Sequence, residues 1–230
     1  MLSFDLNLPR GQQPTILFMG AHSDDIEIGC GGTVQELLRR YPRAAVHWAV
    51  LSSENGRDRE AHASAKALLG RAYRAVNMHV ENFRGSYFPA EFAGIKDFIE
   101  TLKSIRPDIV FSHCREDLHQ DHRVVGELTW NTFRNHAVLE YEIPKFDGGL
   151  GSPSVFVPLT LAMVKRKVAH LMKMFPSQRA RSWFTPETFE GLMRLRGIEC
   201  NAASGYAEAF YSRKLVFGGD AAAKAAARRR

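Results

Sequence analysis

The apolar run at residues 15–20, Thr-Ile-Leu-Phe-Met-Gly, leads straight into His22, Asp24 and Asp25. No other feature constrains the fold as tightly. An unbroken apolar run of this length reads as a strand buried on both faces, and such strands belong to parallel sheets covered by helices. A histidine and two adjacent acids at the mouth of that strand are costly unless they bind something. A second apolar run, 109–112, ends in the same way, in a polar cluster that carries His113, Asp117, His119, Asp121 and His122.

The rest of the first half repeats the alternation. Strands are expected at 15–20, 45–51, 75–80 and 109–112, with 138–141 as a fifth. Helices are expected at 32–40, 60–69, 91–105 and 121–134. Phe92, Ile95, Phe98, Ile99 and Leu102 form an i, i+3, i+4 stripe in the third of these. The pattern predicts an α/β, Rossmann-like fold: a mostly parallel sheet flanked by helices on both faces. Beyond Glu142 the pattern weakens. Residues 143–158 are rich in Gly and Pro and read as a long excursion that can serve as a lid. Helices follow at 160–174 and 186–196, residues 197–209 read as irregular, and 214–217 as a late strand. No repeat or linker divides the chain. The expectation is one domain over 1–220, with the catalytic motifs in 15–135 and a substrate-shaping region at 142–210. A basic Ala/Arg tail at 221–230 is expected to be disordered.

Composition excludes several classes. Hydrophobic residues make up 45% and charged residues 24% of the 230, a globular balance. The net charge of +6 is no sign of nucleic-acid binding, because Lys224, Arg228, Arg229 and Arg230 against Asp220 place a net +3 in the terminal segment alone. No basic stripe with interleaved aromatics is present. No apolar run reaches the roughly 20 residues that span a bilayer. Three cysteines without a CxxC, and no leader-like start, fit a reduced cytoplasmic setting. The expected partner is a small molecule, and a homo-oligomer is compatible with the chain.

In doubly wound sheets the first strand is central, and the chain crosses back to lie on its other side. Strand 109–112 is therefore expected beside 15–20, with both polar clusters leaving the carboxyl ends that bound the ligand crevice. Their donors suit a divalent metal with nitrogen and oxygen ligands and one open position, Zn2+ or another ion such as Fe2+. His22 and Asp25 are close enough in a turn to share an ion, and His122 can approach from across the crevice. Asp24, next to a ligand, points elsewhere and is free to act as general base. His119 on the rim can stabilise an oxyanion as imidazolium and protonate a leaving amine. Asp121 can orient either His119 or a ligand. His113 is either a supporting group or substrate-facing, and Asp117 is a further candidate for substrate contact.

Plainer readings exist for each. Asp24 or Asp25 alone would serve as a helix N-cap, and a lone His119 or His122 as a surface residue. The clustering argues against both. Gly29-Cys30-Gly31-Gly32-Thr33 lacks the spacing of a phosphate loop and reads as a turn packed closely on the sheet. Cys30 and Cys114 read as small buried groups, and His47, His62, His79, His136 and His170 as structural, with no partner pattern.

Ala21-His22-Ser23-Asp24-Asp25, Gly31-Gly32-Thr33 and His119-Gln120-Asp121-His122 together resemble the LmbE-like family, also called PIG-L deacetylases. Ser23 stands where the family motif has Pro, while the second motif matches throughout. The resemblance implies a zinc-dependent N-deacetylase acting on an N-acetylated amino sugar of the N-acetylglucosamine type within a larger conjugate. It implies His22, Asp25 and His122 as metal ligands, Asp24 as base and His119 as oxyanion partner. It places a substrate-facing arginine near the second helix, where Arg57 or Arg59 can fill the role, although a solvated salt bridge is an equal reading. Two alternatives stay open: an amidase for a longer N-acyl or thiol-conjugate substrate, and a binding module of the same fold without catalysis.

Overall fold

A computed structural model of the chain describes residues 12–216, together with Ser3, Leu6 and Leu8. Seven strands form one sheet in the order β3-β2-β1-β4-β5-β7-β6. The first five are β1 (Thr15–His22), β2 (Ala45–Ser52), β3 (Asn77–Val80), β4 (Ile109–His113) and β5 (Ala137–Tyr141). They run parallel. β6 (Val155–Pro158) and β7 (Ala207–Ser212) complete one edge in antiparallel pairing. The expected mostly parallel sheet, with its first strand central and the strand at 109–113 beside it, is the observed one.

Successive residues of β1 point to opposite faces, and each face has its own core. Ile16 and Phe18 pack with Trp48, Phe111 and residues of α1 (Asp25–Arg40), α2 (Arg57–Leu69), α5 (Leu161–Met174) and α6 (Pro186–Glu199). Leu17 and Met19 pack with Val110 and with residues of α3 (Phe92–Thr101) and α4 (Gln120–Thr132). Burial on both faces is what the unbroken apolar character of β1 encodes.

Three expectations need correction. The first helix starts at Asp25, directly after β1, not at 32, and the glycine-rich stretch is a kink within it rather than a turn. Cys30 leaves the helical region with φ −145° and ψ 21°. The amides of Gly32 and Thr33, freed at the kink, donate to the buried carboxylate of Glu208 at 2.8 and 2.6 Å. Glu208 also holds Lys167 at 2.6 Å. Close packing does explain the glycines. A Cβ on Gly29 would lie 2.2 Å from the Tyr141 ring, and one on Gly32 would lie 2.5 Å from Leu159.

The second correction concerns the late strand. It is Ala207–Ser212, while residues 214–216 form no strand and Phe217 lies outside the described residues, as does the tail at 221–230. Buried Glu208 breaks the apolar signature of β7, and β6 is a short edge strand ending in Pro158, where a missing N–H is tolerated. The third concerns the histidines read as lacking partners. His47 and His79 meet across β2 and β3 at 3.3 Å, and His170 lies 2.8 Å from Ser64.

The segment between β5 and β6 is anchored rather than loose. Glu142 accepts from Arg196 at 2.8 and 2.9 Å, from Tyr211 at 2.8 Å and from the Gly151 amide at 3.1 Å. Among the described residues, no helix is long and apolar enough to cross a membrane.

Gly29→Ala should overpack the Tyr141 contact and cost about 1–3 kcal/mol. Thermal unfolding measures this, and an unchanged melting temperature would mean that the ring yields freely.

Candidate active site

Parallel pairing of β1 with β4 sends both polar clusters out of the same end of the sheet. His22 closes β1, Asp24 and Asp25 begin α1, and His119 to His122 begin α4. An open cleft of about 550 Å³ lies over them, lined by His22, Asp24, Asp25, Arg57, His119 and His122 among others.

Asp25 folds back on its own turn. Its Oδ2 accepts the His22 amide at 2.7 Å and lies 3.2 Å from His22 Nδ1. His122 Nε2 lies 3.3 Å from His22 Nδ1 and 3.5 Å from Asp25 Oδ1. Ligand atoms held about 2.0–2.1 Å from a tetrahedral zinc lie roughly 3.3 Å apart. The nitrogens of the two histidines stand at that spacing, with Asp25 turning Oδ2 to one and Oδ1 to the other, and the group is close enough together to hold a divalent ion.

Supporting groups stand behind each donor. Asp121, fully buried, receives His22 Nε2 at 3.0 Å and the amides of Ser86 and Phe88 at 2.6 and 3.2 Å. Of the two roles open to Asp121, the geometry selects the one on His22. With His119 the contact is reversed: its Nδ1 accepts the Asp121 amide at 3.2 Å, capping α4. Asp117 Oδ2 lies 3.1 Å from His122 Nδ1, so His122 presents Nε2 to the cleft. Lys145 holds Asp117 from the far side at 2.7 Å. His113 Nε2 sits between the Ala21 amide, at 2.9 Å, and Asp25 Oδ2, at 3.1 Å.

This corrects two expected substrate contacts. His113 is wholly buried, stacked on His122 at a centroid distance of 4.0 Å, and Asp117 is buried between His122 and Lys145. Neither lines the cleft. Arg57 does line it, and its Nη2 lies 2.5 Å from Asp24 Oδ1, so the cleft-facing and salt-bridge readings hold together. Arg59 is exposed and does not line the cleft. Asp24 makes no side-chain cap bond, and its Arg57 contact replaces the plain N-cap reading.

Electrostatics sort the groups. Burial, opposed by Arg57 and reinforced by Asp25, raises the Asp24 pKa. Burial acts the same way on Asp25, but His122, His113 and His22 outweigh it and hold that carboxyl well below the usual range. Burial and neighbouring His113 push His122 down to about 3, leaving a neutral imidazole. Burial also disfavours the His22 cation, yet Asp25, Asp121 and Asp24 lift its pKa to about 10. Burial and the His22 charge lower the His119 pKa, which disfavours the expected imidazolium. With Nδ1 accepting, its proton lies on Nε2.

Lys145, Phe146, Arg181 and Trp183 also line the cleft and escaped the sequence reading. Each is a single residue in an irregular segment, and none belongs to a spacing pattern.

The model of the PIG-L family, described as GlcNAc-PI de-N-acetylase, matches residues 17–133, just over half of the chain. The fold is shared with an N,N'-diacetylchitobiose deacetylase from Pyrococcus horikoshii at 20% identity and TM-score 0.65, covering 91% of this chain and 87% of that one. A 4-carboxy-2-hydroxymuconate hydratase from Pseudomonas putida matches at 17% and 0.69, covering 90% and 99%. A zinc-inhibited form of teicoplanin deacetylase matches at 14% and 0.67, covering 86% and 97%. At these identities the likeness is one of fold.

The His22 shift carries a measurable consequence. The metal-free protein keeps the protonated, ion-paired His22 through neutral pH and loses that stabilisation as pH rises through about 10. A metal taking Nδ1 must displace the proton. Calorimetry at pH 8 in buffers of different ionisation enthalpy should therefore show about one proton released per ion bound. Uptake without proton release would remove His22 from the ligand set.

Proposed function

The chain belongs to the PIG-L (LmbE-like) family, and on that premise we propose that it is a metal-dependent N-deacetylase. The substrate is an N-acetylated amino sugar within a larger conjugate, and the products are a free amine and acetate. The observation that carries this reading is the cluster of His22, Asp25 and His122, each within 3.5 Å of the other two, with the carboxyl of Asp24 in the same cleft.

His22, Asp25 and His122 would hold the ion, and Zn2+ fits their donor set, with Fe2+ the other candidate. A divalent ion there supplies Lewis acidity toward the amide carbonyl and an attacking water. The remaining chemistry belongs to the chain. Arg57 pins one oxygen of Asp24, leaving the other to take a proton from water as its oxygen bonds to the acyl carbon. Neutral His119 offers Nε2–H to the carbonyl oxygen as negative charge builds there. When the carbon–nitrogen bond breaks, the proton held by Asp24 passes to the leaving amine. Asp121 and Asp117 are positioning residues, acting through His22 and His122.

That the chitobiose and teicoplanin enzymes sharing this fold are deacetylases supports this reading. The hydratase shows that the fold is not restricted to deacetylation. A pure binding module needs neither Asp24 nor His119. A longer acyl group finds little support, because Ser52, Glu54, Asn55 and Arg57 make the lining contributed around α2 polar.

Acetate release from N-acetylglucosamine conjugates, abolished by chelation and restored by added zinc, is the direct test. Turnover without acetate release would exclude deacetylation. Two variants separate the adjacent acids. Asp24→Asn should keep the metal and lose about 10²–10⁴ in rate, since the amide cannot accept a proton. Asp25→Asn should instead be metal-depleted and partly rescued by excess zinc, a neutral oxygen being the poorer ligand. The reverse pattern in metal analysis would exchange their roles.

A further inference from the structure

The apolar members of the cleft lining are Ile143, Phe146 and Trp183, all from the second half of the chain. Phe146 is the unusual one. It lines the cleft, yet 72% of it is exposed to solvent. Leu150, 48% exposed, lies in the same segment, and Leu118, 55% exposed, lies against it, although neither lines the cleft itself. Leu118 touches the Phe146 segment, for a Cβ on Gly149 would lie 3.2 Å from its Cγ.

A loose loop would not explain that exposure. Lys145, immediately before Phe146, is tied to Asp117 at 2.7 Å, and the Gly151 amide is tied to Glu142 at 3.1 Å. Between them Gly148 and Gly149 turn the backbone through φ +73° and +89°. The chain thus holds a phenyl ring in water at the mouth of its catalytic cleft. An exposed apolar rim on a fixed backbone is unfavourable alone and becomes favourable when a ligand covers it.

We propose that Phe146 forms a subsite for a hydrocarbon aglycone, an alkyl or aryl group carried by the sugar. The inference rests on the deacetylase reading and extends it to a substrate class. The aglycone is the occupant because the acyl group must reach Asp24, which stands among His22, Asp25 and Arg57, whereas Phe146 stands exposed to solvent. The 550 Å³ cleft falls in the range that takes ligands larger than a single sugar.

The test uses alkyl N-acetylglucosaminides from methyl to octyl. kcat/KM should rise with chain length, by up to about fourfold per buried methylene. Phe146→Ala should flatten that rise at an unchanged melting temperature, with a smaller loss on the methyl glycoside than on the octyl, and Phe146→Leu should restore most of it. A binding arm needs no turnover: octyl glucoside, below its micellar concentration, should bind the wild-type protein and bind Phe146→Ala about tenfold more weakly. If no glycoside is hydrolysed but octyl glucoside binds through Phe146, the subsite stands and the deacetylase reading falls. A flat chain-length series with no octyl glucoside binding overturns the subsite. So does an equal loss on methyl and octyl glycosides, or a rise that follows the length of the N-acyl chain instead.

Discussion

Everything at the site depends on the parallel pairing of β1 with β4. Ile16, Leu17 and Phe18 stand opposite Ile109, Val110 and Phe111, and both strands are buried on both faces. Because the strands run the same way, the chain leaves them at the same end, and two segments distant in sequence arrive at one crevice. His113 then joins the two ends, its ring lying between the Ala21 amide and Asp25. An antiparallel neighbour would have sent the second cluster to the opposite edge.

Charge explains why a dication suits what that pairing assembles. Asp24, Asp25, Asp117 and Asp121 are all buried within one network. Arg57 and Lys145 are the permanent cations that answer them, each engaging one acid directly. The negative charge left over draws a proton onto His22 in the metal-free protein. A divalent ion at the cluster of His22, Asp25 and His122 would meet the same demand. Asp121 and Asp117 set the aim of His22 and His122, the kind of support that metal-binding histidines receive.

The wall of the cleft follows a different logic from its floor. The floor is carried by residues at strand ends and helix starts, whose backbones are held by the sheet. The wall comes from the segment after β5 and the one after α5, tied down by isolated polar contacts such as Glu142 with Arg196 and Lys145 with Asp117. Such contacts let a wall carry exposed groups, Phe146 among them, without loosening the floor.

Much of this was legible in the residues alone. Unbroken apolar runs announced buried parallel strands, and helical periodicity placed α3 and α4 to within a few residues. That His22, Asp25 and His122 would meet was readable because local spacing at the ends of strands limits where such side chains can go. The kink in α1, β6 and β7 was not readable. Glycines chosen to admit Tyr141 and Leu159 look like a turn, and Glu208 hides an apolar strand. The sequence by itself determined which chemistry was present and which strands would carry it, since both follow from composition and short-range period. Only the tertiary structure decided that Asp121 serves His22, that Asp117 and His113 face inward rather than toward substrate, and that Lys145 and Phe146 belong to the cleft. Those assignments rest on contacts between residues far apart in the chain, and no local pattern encodes them.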